Sequence, residues 1–178
     1  MTEIKKKRQI FYSFHFANDF WRTQQIRNIG SIDGNNPVSA NQWEEIKRKG
    51  EDSIKKWIED NLKYKSCLVV LVGSETAFRK WVIYEIERAW NLNKGVVGIY
   101  IHNLKDQNGK TSYQGCNPFD YLTMERDGKK LSDIVNLYIP SAFYPADYSL
   151  STSQAVYRNI SDNIENCIEE AISIRNNY

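Results

Sequence analysis

Two apolar runs constrain the fold of this chain more than any other feature. Residues 66–73 read SCLVVLVG and residues 95–102 read GVVGIYIH. Neither run alternates polar with apolar residues, so each calls for burial on both faces, as parallel strands have between two helical layers. Between them, residues 80–93 carry a helical period. Val82, Ile86 and Ala89 form an inward stripe, and Gly95, just after Lys94, reads as the stop signal. Strand, helix, strand in this order predicts a right-handed parallel crossover.

The rest of the chain extends the pattern. Residues 10–14 (IFYSF) read as a first strand. A helix follows over 19–29, capped by Asn18 or Asp19 and stopped by Gly30. Residues 31–41 (SIDGNNPVSAN) are dense in turn formers and read as a loop with at most one short strand about 37–40. In residues 51–62, Ile54, Trp57, Ile58 and Leu62 share one helical face. A polar loop over 104–120, a last strand within 133–139 and a helix over 154–175 complete the reading. In that last helix Ile160, Ile164, Ile168 and Ile172 recur every four residues. No internal repeat or linker interrupts the 178 residues. The expectation is one α/β domain over 1–178, with a core about 8–140 and a terminal helix about 154–175, in three layers around a mostly parallel sheet.

Composition excludes several classes of function. With 24 basic and 22 acidic residues the net charge is +2, too balanced for a nucleic-acid partner, and the basic run 5–8 reads as a solvated terminus. No apolar run approaches the ~20 residues of a membrane span, and no signal-peptide pattern follows the first charges. Cys67, Cys116 and Cys167 are odd in number and widely spaced. Cys67 lies in an apolar strand and Cys167 on an apolar helix face, so both read as small buried hydrophobes in a reducing cytoplasm. GxGxxG, P-loop and GxSxG patterns are missing. His15 and His102 have no companion at metal-ligand spacing, so neither metal nor cofactor is expected. Aromatics reach 13%, enough for some rings to line a pocket or interface. Trp43, Trp57 and Trp90 fit either core or interface.

In open α/β sheets, ligands bind outside the carboxyl ends of the strands. Three segments leave such ends here, 14–18, 73–76 and 102–104. The first two precede helices, whose free N–H groups favour a phosphate. At 100° per residue, Glu85 shares a face with Trp81, Arg88 and Leu92 and borders the buried stripe. Two readings of Glu85 stay open from periodicity. One is an exposed pair with Arg88, or with Arg79 or Lys80 at the helix start. The other is a poorly solvated carboxylate beside a site.

Residues 74–86 (SETAFRKWVIYEI) resemble the TIR-domain segment in which a Trp precedes a helical Glu by four residues. IFYSF followed by Asp19 resembles the first TIR box. FYSFH, QWEE, VLVGSETAFRKWVIYEI, GIYIHNLKDQNGK and NPFDYL, which together span roughly residues 10–122, are similar to the TIR-like proteins of bacterial Thoeris antiviral defence. The resemblance implies a flavodoxin-like fold, with Glu85 as the catalytic carboxylate. It implies cleavage of the nicotinamide–ribose bond of NAD+, which is then substrate and not cofactor. The product would be a cyclic ADP-ribose isomer that signals to a separate effector. Phe14, His15, Asn18, Ser74 and Trp81 are the expected substrate-binding residues, and a homo-oligomer is a possible assembly. The match is weakest at His15, at Ala17 and Asn18, and over 31–41. Many TIR domains only self-associate and recruit partners, so a non-enzymatic interaction module stays open, as does another nucleotide chemistry on the same fold. The discriminating geometry is whether Glu85 lines a cleft with Phe14, His15 and Trp81 or meets bulk water beside Arg88.

Overall fold

The structure, a computed structural model, describes residues 7–30, 32–34 and 40–178. Among the described residues five strands form one sheet: β1 (Gln9–Phe14), β2 (Asp33–Gly34), β3 (Cys67–Val72), β4 (Gly95–Tyr100) and β5 (Leu137–Tyr138). Their order is β2-β1-β3-β4-β5 and every neighbouring pair is parallel, the doubly wound order of flavodoxin-like folds. All residues of β3 and β4 are buried, as their unbroken apolar runs require. The two faces of β3 serve two cores. Cys67, Val69 and Leu71 pack with α1 (Phe16–Arg27) and α5 (Thr152–Asn177), where Ile160, Ile164 and Ile168 are buried. Leu68, Val70 and Val72 pack with α3 (Glu51–Leu62) and α4 (Lys80–Asn91). Among the described residues, no helix is long and apolar enough to cross a membrane.

Several boundaries differ from the sequence reading. α1 starts at Phe16, not at 19, with His15 as an N-cap that makes no side-chain cap bond. Asp19 is therefore no cap; it lies in the first turn and is fully buried. α4 ends at Asn91, and the left-handed residue after it is Asn93 (φ 57°). Gly95 is thus no stop signal. It opens β4, where a Cβ would come within 2.8 Å of the Ile172 backbone nitrogen on α5. A helix, α2 (Ala40–Arg48), stands where the turn-rich loop was expected to end. The short strand expected about 37–40 falls mostly outside the described residues, and the observed strand is β2 at Asp33–Gly34. β5 is only Leu137–Tyr138, preceded by a 3-10 turn at Leu131–Asp133. Cys67 is buried, Cys167 half-buried and Cys116 exposed; all three are free thiols.

The segment after β4 is tied down from α1. The Arg22 guanidinium donates to the carbonyls of Leu104 (2.8 Å), Lys110 (3.0 Å) and Asn18 (3.1 Å), and to Asp19 Oδ1 (3.1 Å). The Tyr100 hydroxyl donates to the Gly115 carbonyl at 3.0 Å. Gly115 lies so close to the exit of β3 that a Cβ there would sit 2.1 Å from the Gly73 oxygen. The Asp19 carboxyl rests against Gly73, where a Cβ would meet Oδ2 at 2.1 Å, so both glycines are required by close approach. The loop covers the exit of β3, and the open space at this end of the sheet lies at the exit of β1.

Candidate active site

That space is a cavity of about 310 Å³ between the start of α1, α2 and α4. Glu85 forms part of its lining, only 8% exposed. On α4 the stripe of Val82, Ile86 and Ala89 faces the sheet, and Glu85, next to Ile86, is carried under β1. There the Ser13 hydroxyl, 1% exposed, donates to Glu85 Oε2. The cations that could have paired with Glu85 are engaged elsewhere. Arg88 meets Glu59 at 3.0 Å, Arg79 pairs with Glu75, and Lys80 pairs with Glu51. Among the described residues Glu85 therefore has no ion pair, and the reading of it as an exposed helix-surface pair is overturned. Burial pushes its carboxyl up to about 8, against the opposing pull of the Ser13 hydrogen bond.

The walls are aromatic. Phe14 and Phe16 approach at 6.1 Å between centroids, and Trp43 and Trp81 also line the cavity. Trp43 fixes α2 to the core through edge contacts, first to Trp57 (5.8 Å) and then from Trp57 to Phe11 (6.1 Å). Lys47 of α2 and Arg79 before α4 bring positive charge to the lining, with Glu44 beside them. Phe16 and Ala17 bring the uncapped first turn of α1 to the same space. Burial and the nearby Arg79 hold the His15 imidazole below its ordinary 6.5, so at neutral pH its 3.8 Å approach to Glu75 is not an ion pair.

A family model described as Thoeris protein ThsB, TIR-like domain, matches residues 11–106. A protein of Bacillus cereus (strain MSX-D12) named "Putative cyclic ADP-D-ribose synthase ThsB1" is 32% identical over 180 aligned residues, covering 87% of this chain and 93% of that protein. The chain belongs to the Thoeris TIR-like family. The matched span of this TIR-like chain runs from β1 through β4, so it contains every residue of the cavity described above.

Within the TIR-like fold, Phe14, His15, Trp81 and Glu85 come together as the sequence pattern suggested. Asn18 and Ser74 do not join them. Asn18 is exposed on α1, and its carbonyl accepts from Arg22. Ser74 lies beneath the covering loop, where a Cβ on Gly115 would come within 3.0 Å of the Ser74 oxygen. Sequence reasoning missed Ser13, Trp43, Lys47 and Arg79, and it placed Phe16 at the strand exit without singling it out. A signal for α2 did exist. Trp43 and Ile46 stand three apart, and Glu44–Lys47 and Glu45–Lys49 are charge pairs at helical spacing. Ser13 had no such signal, since one small polar residue in a strand says nothing of its partner.

Proposed function

We propose that this TIR-like protein breaks the nicotinamide–ribose bond of NAD+ and closes the remainder into a cyclic ADP-ribose-type signal. The observation that carries the reading is a buried carboxylate, without a cation of its own, in an aromatic-walled cavity. Such a site attracts a delocalised organic cation, because aromatic faces and an unanswered carboxylate both favour positive charge. The pyridinium of NAD+ is such a cation. At about 310 Å³ the cavity stands at the low end of ligand pockets and suits the nicotinamide–ribose half of the dinucleotide. Lys47, Arg79 and the first turn of α1 provide for the phosphates. The name carried by the Bacillus cereus relative supports the same product class.

When the glycosidic bond breaks, its electron pair leaves with nicotinamide and neutralises the pyridinium. Positive charge moves to ribose C1′, where an ionised Glu85 stabilises it. A hydroxyl of the same molecule then bonds to C1′ and releases its proton. A carboxylate poised near neutral pH is suited to accept that proton. Phe14, Phe16, Trp43 and Trp81 limit access of water, which would otherwise take the place of the internal nucleophile. NAD+ acts as substrate, and the scheme calls on no cofactor. The cytoplasm as compartment, a separate effector as receiver of the signal, and a homo-oligomeric assembly belong to the same reading. The compartment draws on the three free cysteines; the effector and the assembly rest on the family resemblance.

The test incubates wild type and Glu85→Gln with NAD+, with and without lysate from phage-infected cells, and separates the products by chromatography. Wild type is expected to yield nicotinamide and a cyclic product, and the variant to be slower by about a thousandfold or more. Equal turnover in both would sink the assignment of Glu85. No turnover in either, with lysate present, would favour an interaction module.

A further inference from the structure

We propose that Ser13 is a positioning residue of this site, whose hydroxyl fixes the Glu85 carboxylate toward the cavity and stabilises its charged form. The inference rests on the NAD+-cleaving reading. Ser13 occupies a place where packing alone would call for an apolar side chain. It sits in β1 between Tyr12 and Phe14, in register with Val70 of β3, and is 1% exposed. Two residues earlier, on the same face of the strand, Phe11 fills the core shared with α3 and α4. A buried hydroxyl there requires a partner, and that partner is Glu85 Oε2 on α4.

The surrounding charges do not take its place. Glu44 and Lys47 on α2 pair with each other at 2.5 Å. Arg79, preceding α4, pairs with Glu75, which follows β3. His15, at the start of α1, is held below its ordinary 6.5, so it is neutral in the range where Glu85 ionises. Among the described residues, the hydroxyl of Ser13 is therefore what answers the charge on Glu85. It does so from the sheet side. Because Oε2 accepts the hydrogen bond from Ser13, Oε1 is left for the ribose. A donor to the ionised form also keeps that form accessible near neutral pH, against the burial that raises the carboxyl to about 8.

The experiment compares wild type, Ser13→Ala and Ser13→Thr in the full chain by two readouts. The first is the pH profile of NAD+ turnover under whichever condition of the preceding test, with or without lysate, gives turnover in wild type. The second is the titration of the Glu85 side-chain carboxyl by carbon-13 NMR of glutamate-labelled protein, its signal identified by its loss in Glu85→Gln. Ser13→Ala is expected to lower kcat by about tenfold to a hundredfold with KM nearly unchanged. The acid limb of the profile and the NMR midpoint should both move up by about one pH unit. Ser13→Thr, which keeps the hydroxyl, should restore both. A merely structural serine would change thermal stability without moving the midpoint. A midpoint in Ser13→Ala that coincides with wild type overturns the proposal. The NMR readout does not depend on catalysis. A moved midpoint with no NAD+ turnover in any variant would support the hold of Ser13 on Glu85 and overturn the substrate reading instead.

Discussion

Asp19 and Glu85 stand at the same end of the sheet, both are buried, and burial raises the carboxyl of each. They differ in what answers the charge. Asp19 Oδ1 accepts from Arg22 at 3.1 Å, and Arg22 goes on to the carbonyls of Leu104 and Lys110. Glu85 has a hydroxyl. The first acid is closed on itself: its cation is buried with it, and the pair fastens a loop across the exit of β3. The second is open: its charge, once formed, is answered by no protein cation among the described residues, and it borders a cavity. Buried acids with a cation hold structure together; a buried acid without one is held ready for a cation that arrives. The difference separates the sealed part of the sheet end from the working part.

The contrast can be broken most forcefully at Arg22. Arg22→Ala leaves Asp19 buried without its cation and deprives two loop carbonyls of their donor. Removing one partner of a buried pair costs about 3–5 kcal/mol. For a chain of this length that lowers Tm by about 10 °C. Thermal and urea unfolding of the variant measure it. A loss below about 1 kcal/mol would mean that Asp19 is no better held than Glu85, and the distinction would fall.

One chemical change made at each acid sharpens the comparison further. The folded carboxyl of Glu85 lies near 8, against 4.5 for the free group. Between those values the native state holds a proton that the unfolded state has lost, so this residue makes stability fall as pH rises from 4.5 to 8 and adds no slope above. Glu85→Gln removes that slope. It should match wild type near pH 4.5 and exceed it at pH 8 by on the order of a few kcal/mol. Asp19→Asn should show the same sign with a smaller gain at pH 7, because burial raises the Asp19 carboxyl as well but the Arg22 guanidinium offsets part of that rise, and Arg22 keeps the Asp106 carboxylate at 4.0 Å. Urea unfolding of the three proteins at several pH values decides this. Gains of equal size in both variants would erase the contrast.

How far this division was legible in the sequence depends on the range of the contacts involved. β3, β4 and α3 were readable because unbroken apolar runs and a single apolar face are local patterns. The border position of Glu85 was readable too, since helical geometry is local. Whether Glu85 was paired was not readable, because the answer lay in Arg88 choosing Glu59 on a different helix. That Asn18 and Ser74 fall outside the cavity lining was not readable for the same reason. The loop that closes over the exit of β3 is fastened by Arg22 to residues 82 and 88 positions away. α2 was missed because only Trp43 and Ile46 mark its inner face, and turn-forming residues precede it. The start of α1 was missed because its cap, His15, makes no side-chain bond.

The smallest expected effect divides the working part itself. Lys47 belongs to the cavity lining, yet its side chain is 40% exposed and its pair with Glu44 is of a kind worth at most about 1 kcal/mol. Its positive charge favours an anionic substrate in ground state and transition state alike. Binding of that kind acts on KM and leaves kcat alone. Lys47→Ala should therefore raise KM for NAD+ about fivefold, leave kcat and Tm within error, and lose its effect as salt is raised. Steady-state kinetics at low and high ionic strength measure it. The buried carboxylate should show the reverse, a loss in kcat that salt does not touch, because screening reaches an exposed charge and not one enclosed by Phe14, Trp43 and Trp81. If Lys47→Ala lowered kcat as far as it raised KM, Lys47 would act in the transition state, and the division of KM from kcat between the exposed and the buried charge would fall.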